Sequence, residues 1–195
     1  MAAADTAAAG TAADTRFTFV SGHPALDFAG TVGHRRGTPV ELLTTPDALS
    51  VWTAVAGMLD SPAPAGAADL ARAIRLREAV YRLAHAAATG APLGPEDCGT
   101  VNEAAAAHPP VRVELRPDGT VRRTGSVDAV LSSLARATVT LLGEATPGLL
   151  KECAWSDCTR LYLDRSHRGS RRWCDMAGCG NRAKAAGHRA RRAAR

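Results

Sequence analysis

Cys153, Cys158, Cys174 and Cys179 follow the pattern C-x4-C-x15-C-x4-C, two close pairs divided by a medium loop. Each pair can present two thiolates from one tight turn, and two such pairs complete the tetrahedral ligand set of a single Zn²⁺. Disulfides, an iron–sulfur cluster and free buried thiols draw on the same residues, but the spacing shared by both pairs favours one structural zinc. Four bound thiolates leave no coordination position for water, so this metal is expected to hold structure rather than perform chemistry. His167 and His188 are alternative ligands with simpler places in a turn and on a helix, and Cys98 stands apart as a small packing residue.

A second pattern surrounds the cysteines. Residues 1–150 carry 12 basic and 15 acidic side chains, net −3, whereas residues 151–195 carry 12 basic and 4 acidic, net +8. A basic segment beside a mildly acidic body points to a polyanionic partner for that segment alone. The candidate nucleic-acid contacts are Arg171, Arg172, Arg182, Lys184, Arg189, Arg191 and Arg192. Of these, Arg171, Arg172 and Arg182 also have an electrostatic reason to sit beside a zinc–tetrathiolate of net charge −2. Asn181 is expected to donate a hydrogen bond to one of the thiolates. Plotted as a helix, Lys184, His188, Arg191 and Arg195 share one face, and Ala183, Gly187, Ala190 and Ala194 form a neighbouring small-residue stripe. Such a helix suits phosphates or a major groove, and a solvated tail is the plainer reading of the same charges. RNA recognition calls for exposed aromatics, and Trp155, Tyr162 and Trp173 stand where a small core needs them, so DNA is favoured over RNA. No arginine is assigned to a base edge.

Elsewhere, Asp27, Arg35, Arg36, Arg77 and Glu78 either line a ligand pocket or pair with one another, with pairing expected for Arg77 and Glu78. The chain has no Gly-rich phosphate loop, no H-E-x-x-H and no G-x-S-x-G, so enzymatic activity is not expected.

The elements that must position these residues read as helix-rich α+β. A short strand is expected at 16–20, then helices from Thr45 as N-cap to about Leu59, from about Ala68 to Ala88, and from Pro95 to about His108. Pro117-Asp118-Gly119 joins strands 111–115 and 120–124, and Ser126 caps a helix to about Gly143. The cysteine module is expected as ββα, treble-clef-like or ribbon-like. Its strands would be 160–164 and 171–174, and its helix would start near Asn181, just after Cys179. The chain is 46% hydrophobic and 22% charged, with no apolar run long enough for a bilayer span and no signal-like start. A cytoplasmic setting is expected, and the dominance of Arg and Ala suggests a GC-rich bacterial genome.

The stretch Arg171-Arg172-Trp173-Cys174-Asp175-Met176-Ala177-Gly178-Cys179-Gly180-Asn181-Arg182-Ala183-Lys184 resembles the CGNR zinc-finger family. Cys153-x4-Cys158, followed by Leu161-Tyr162-Leu163-Asp164-Arg165-Ser166, is similar to that family's first half. Ala25-Leu26-Asp27-Phe28-Ala29-Gly30-Thr31, Leu42-Leu43 and Leu76-Arg77-Glu78-Ala79 resemble the ABATE domain that precedes such fingers. Gly30 stands where that domain is expected to carry Asn. The resemblance implies a stress-induced regulator of transcription.

The expected organisation is a disordered segment at 1–15, an ABATE-like domain at 16–146 and a finger at 150–195. The expected function is a zinc-containing DNA-binding regulator whose basic finger contacts phosphates. A small-molecule effector of the first domain and a homo-oligomer fit the same reading. The alternative is a small-molecule-binding or oligomerising protein whose finger mediates protein contacts. Losing a cysteine is expected to unfold the finger and leave the body folded.

Overall fold

Among the described residues five helices form the body: α1 (Pro24–Ala29), α2 (Pro46–Val55), α3 (Ala67–Thr89), α4 (Pro95–Ala107) and α5 (Val127–Glu144). The computed structural model describes residues 16–193, so the expectation for 1–15 and the placement of Ala194 and Arg195 lie outside the described residues. Proline opens α1, α2 and α4, where its missing N–H would have had no helical partner anyway. Thr45 caps α2 by accepting from the Ala48 N–H at 3.1 Å, and Ser126 caps α5 by accepting from Ala129 at 3.3 Å. The long helix α3 runs through the middle of the body. Its face of Ala73, Leu76, Ala79, Val80 and Leu83 is buried with Val130, Leu134 and Ala135 of α5, and with Phe28 and Trp52, whose ring centroids lie 5.1 Å apart.

Two small antiparallel ladders attach to this bundle. β1 (Val32–Gly33) pairs with β2 (Val40–Glu41), and β3 (Arg112–Leu115) pairs with β4 (Val121–Thr124) with Leu115 opposite Val121. The hairpin and helices α3, α4 and α5 match the sequence expectation closely. The helix expected to reach Leu59 stops at Val55 because Gly57 turns left-handed (φ 66°), after which the Met58 and Leu59 N–H groups fold back onto the Thr53 carbonyl. Helix α1 and the β1–β2 ladder were not expected.

The segment expected as a strand at 16–20 is not one. Its carbonyls are taken by side chains and backbone of the cysteine module instead. Arg160 Nη1 donates to the Thr18 carbonyl at 2.9 Å, Arg171 Nη2 to the Val20 carbonyl at 3.2 Å, and the Leu163 N–H to the Ser21 carbonyl at 2.8 Å. Residues 18–21 therefore strap the finger from outside its own sequence.

The finger consists of β5 (Leu150–Glu152), β6 (Leu161–Leu163), a π-helical turn at Met176–Gly180 and α6 (Asn181–Ala193). The ββα reading holds, but with a different first strand. The partner of β6 is β5, just before the first cysteine, with Leu150 opposite Leu163 and Glu152 opposite Leu161. Residues 171–174 return without forming a strand, since the Arg171 N–H goes to Asp164 Oδ2 at 2.9 Å. Leu150, Leu161 and Leu163 bury themselves with Leu26, Ala84 and Leu141 of the body, so the hairpin belongs to a core shared by both parts.

A chain of charged groups runs from this junction into the body. Arg77, only 2% exposed, forms a bidentate pair with Glu41 at 2.7 Å for both contacts and donates from Nε to Glu78 at 2.9 Å. Glu78 also pairs with Arg35, whose guanidinium lies 4.0 Å from the Tyr81 ring centroid and whose backbone N–H reaches Thr159 Oγ1 at 3.1 Å. Burial pushes the Glu78 carboxyl up, yet the Arg35 hydrogen bond and the charges of Arg35 and Arg77 outweigh it and leave its pKa below the ordinary value. Four of the five charged residues read as pocket or pairing candidates thus resolve to pairing, since Arg36 joins Glu152 at 3.0 Å. Asp27 instead accepts the Ser21 N–H at 3.0 Å. Among the described residues no helix is long and apolar enough to cross a membrane.

Replacing Arg77 by Met would leave Glu41 without its fork-shaped partner in a half-buried site. Urea unfolding is expected to show a loss of about 2 kcal/mol with an unchanged m-value. A loss under about 0.5 kcal/mol, the scatter of an ordinary surface substitution, would show that the buried charge chain contributes little.

Candidate metal centre

The tip of the β5–β6 hairpin carries Cys153 and Cys158, while Cys174 ends the returning loop and Cys179 lies in the turn that leads into α6. Their four sulfurs lie within 4.8 Å of one another. Cys158 and Cys174 Sγ are 3.8 Å apart, and Cys174 and Cys179 Sγ are 3.7 Å apart. A tetrahedron with Zn–S bonds of about 2.3 Å has edges of about 3.8 Å, so the donor set fits one zinc ion in both chemistry and spacing. Bound there, the ion would offset half of the thiolate charge and pin the hairpin tip to the start of α6.

As bare thiols these groups could not all ionise. Hydrogen bonds from Cys158 and Cys174 hold the Cys153 thiol well below its ordinary range, while sharing with Cys153 pushes Cys158 up to about 12. Cys174 is driven up as well, by its bonds to Cys153 and Cys158 and by burial. Only a cation of higher charge brings the set to full ionisation, which is the coupling between metal binding and proton release.

Donors around the sulfurs complete the centre. The Cys174 N–H points to Cys153 Sγ at 3.4 Å, and Arg182 Nη2 reaches Cys179 Sγ at 3.1 Å while its guanidinium lies 5.7 Å from the Trp155 ring centroid. Asn181, expected to donate to a thiolate, does not. Its Nδ2 donates to the Ala177 carbonyl at 3.2 Å, within the turn before the helix, and Arg182 takes the role beside the sulfur. A Cβ at Gly180 would lie 2.7 Å from Met176 Sδ, so a larger residue there would push the exposed Met176 side chain aside. Asp175 caps the turn by accepting from the Gly178 N–H at 2.6 Å.

The loop between the cysteine pairs is organised by a residue the site expectation left out. Asp164 is buried and accepts from Lys151 Nζ at 2.7 Å, from the Ser166 hydroxyl at 2.6 Å and from the Ser166 and Arg171 N–H groups. These bonds, with Lys151 first, hold its pKa far below the ordinary value. An acidic residue seven positions before an arginine carries no spacing signal, and only its place in the Leu161–Ser166 stretch that resembles the finger family marked it.

The seven expected polyanion contacts separate into two kinds. Arg171 is engaged throughout: Nε donates to the Trp173 carbonyl at 2.8 Å, Nη2 to the carbonyls of Val20 and Cys174, and the guanidinium lies 4.5 Å from the Tyr162 ring centroid. Arg182 is tied to Cys179 as described. Arg172 is exposed, with its guanidinium 5.1 Å from the Trp173 ring centroid. Lys184, Arg189, Arg191 and Arg192 are exposed on α6 with no side-chain partner among the described residues. Of the small-residue stripe, Ala183 and Gly187 are half-buried, but Ala190 is exposed. Arg165 and Arg168, in the exposed loop after Asp164, add cations that the helical plot had no means of finding.

The body grips the cysteine hairpin from a second side. Arg36 Nη2 donates to the Cys158 carbonyl at 3.3 Å, and the Arg160 guanidinium fills the space where a side chain at residue 30 would begin, 2.6 Å from an ideal Cβ on Gly30. Gly30 in place of the expected Asn is thereby explained: any larger side chain would displace Arg160.

Comparison with known proteins supports the two-part organisation. The ABATE family model, described as "Putative stress-induced transcription regulator", matches residues 22–145, and the CGNR zinc-finger model matches residues 150–192. No curated protein matches the chain.

The shared core changes what loss of the metal should do. Cys174→Ser is expected to bind less than one zinc per chain and to disorder the finger. It should also lower the melting temperature of the body by at least roughly 5 °C, because Leu150, Leu161 and Leu163 leave the core they share with Leu26, Ala84 and Leu141. Calorimetry with parallel metal analysis would check this. A body transition unchanged from wild type would restore the picture of an independent finger.

Proposed function

We propose, from the premise that this chain belongs to the ABATE family and carries a CGNR zinc finger behind that domain, that it regulates transcription by laying the finger on duplex DNA. Zinc has no catalytic part in this reading. It fixes the direction in which α6 leaves the hairpin, and α6 presents its cations to the phosphate backbone.

The observation that carries the reading is the composition of α6. Its sequence Asn181–Ala193 contains Arg182, Lys184, His188, Arg189, Arg191 and Arg192 and no acidic residue, and its main packing is with the π-helical turn before it. A helix that needs its charges for stability normally mixes signs at i, i+4, and this one does not. Cations left exposed and without carboxylate partners repel one another until a polyanion approaches, and releasing the counterions of that polyanion drives association. Arg172, Arg165 and Arg168 extend the same charge onto the loop of the finger. These contacts set affinity and orientation, and they leave sequence preference to other contacts.

Arg171 is not part of that surface in our reading, although it lies in the same basic run. Its donors serve carbonyls of the finger and of the strap, so it contributes stability. The regulator also needs a signal. The place we favour for a small-molecule effector is the cavity of about 250 Å³ between α3, α4 and α5, lined by Leu76, Leu131 and Ala104 with Arg75 at its edge.

Duplex-DNA binding measured across a salt series would test this. Zinc-loaded protein is expected to bind with a steep negative slope of log K against log salt and to lose binding on chelation. Replacing Lys184, Arg189, Arg191 and Arg192 together by Gln should flatten that slope by about 0.9 for each cation that touches a phosphate, without changing the zinc content. Arg171→Ala should instead lower the melting temperature and leave the slope nearly unchanged. Zinc-loaded wild-type protein that fails to bind duplex DNA at low salt would overturn the proposal and leave the finger as a protein-contact module.

A further inference from the structure

The β3–β4 hairpin is the part of the body that the functions above do not use, and its surface is unusual. Leu115 is 78% exposed, Val113 61% and Val121 40%. Side chains alternate across a strand, and cross-strand partners share a face, so these three residues lie together on one side of the ladder, with Arg123 opposite Val113. The main packing of the two strands is with each other rather than with the helices, while the hairpin is anchored at its base by the Val111 N–H on Ser133 Oγ at 2.8 Å. An apolar face on a projecting two-stranded ladder gains nothing for the monomer.

The two edges of the ladder differ. On β4 the outward-pointing groups of Arg123 are satisfied: its N–H donates to Asp60 Oδ2 at 3.0 Å and its carbonyl accepts from the Asp60 N–H at 3.1 Å. Since Arg123 turns its backbone away from β3, its opposite number Val113 forms a non-hydrogen-bonded pair with it. Val113 must therefore direct its own N–H and carbonyl away from β4, along the outer edge of β3. An open edge of this kind is a template for another strand.

The sequence of β3 indicates which strand. Arg112 and Glu114 flank Val113 on the opposite face and already form an ion pair within the strand. If two copies of β3 pair antiparallel about a two-fold axis at Val113, Val113 exchanges both backbone hydrogen bonds with Val113 of the second copy. Arg112 then faces Glu114 of that copy, and Glu114 faces Arg112. On the other face Val113 meets Val113 of the second copy between the Leu115–Val121 pairs of the two chains, and the new ladder ends before Val111, whose N–H Ser133 already holds. A two-fold axis placed at Leu115 would demand the same of Pro117, which has no N–H and sits in the turn.

We propose that β3 is a self-complementary dimerisation edge, through which two copies of this chain form a four-stranded antiparallel sheet centred on Val113. Such an interface is isologous, and its charge pattern can be inverted without being destroyed. The inference does not depend on the DNA-binding reading.

Sedimentation equilibrium of the full, zinc-loaded chain over a range of concentrations tests it. Wild type is expected to dimerise. Arg112→Glu and Glu114→Arg, both at solvent-accessible positions, should each weaken self-association by on the order of tenfold or more, since each places two pairs of like charges across the axis. Mixing the two variants should restore dimers. One variant then carries acidic side chains at both positions of β3 and the other carries basic ones, so every pair across the axis joins opposite charges. An ion pair that matters only within one strand would not be repaired by mixing. Circular dichroism would confirm that both variants keep their fold. A wild type that stays monomeric to submillimolar concentration, variants that dimerise as wild type does, or a mixture that stays monomeric would each overturn the proposal.

Discussion

Four sulfurs held within 4.8 Å of one another cannot all carry negative charge unless a divalent cation sits among them. That electrostatic requirement governs the C-terminal part of the molecule. Once it is met, the hairpin tip, the returning loop and the first turn of α6 are fixed relative to one another. The bonds that follow can then form in a defined geometry: Arg182 to Cys179, Asp164 to its four donors, and Arg171 to three carbonyls. Around the sulfurs only Cys153, Tyr162, Cys174 and Cys179 form a buried cluster, since Leu150, Leu161 and Leu163 pack on the body, and so few apolar contacts cannot choose this arrangement unaided.

The arginines divide into two populations with opposite uses. Arg35, Arg77, Arg160 and Arg171 point inward, where the planar fork of five donors satisfies carbonyls and carboxylates that come from distant parts of the chain. A lysine could not replace them, because one ammonium cannot hold a bidentate carboxylate and lie flat on an aromatic ring as well. Among the described residues the arginines of α6 meet no carboxylate. Total basic charge therefore says little about nucleic-acid affinity in this protein, and the location of each guanidinium says much more.

The features that could be read from the sequence are those with a short period or a fixed spacing. Thr45-Pro46 and Ser126 marked helix starts, Pro117-Asp118-Gly119 marked a turn, and the cysteine spacing marked the metal set, because in each case the physics acts over a few residues. Several of the misses are cases of action at a distance. Phe17 and Phe19 alternate as a strand would, but the carbonyls around them bond to Arg160 and Arg171, 142 and 151 residues away. Residues 171–174 have strand-like composition, and a carboxylate at Asp164 diverts them. The six residues of α1 are too few to show a period, and the two-residue strands β1 and β2 show none. Asn181 and Arg182 are equally plausible donors by position, and side-chain reach decided between them.

The strap at residues 18–21 has a kinetic meaning as well. These residues leave the ribosome among the first of the described chain, and the arginines that bind their carbonyls leave among the last. The body can collapse around α3 and α5 while the strap and the Leu26 side of the shared core are still bare. Closing contacts across so long a stretch of chain is slow. Ribosome-associated chaperones would therefore meet this protein as a nearly finished body with one uncovered flank, and arrival of the metal-binding segment would end that interval.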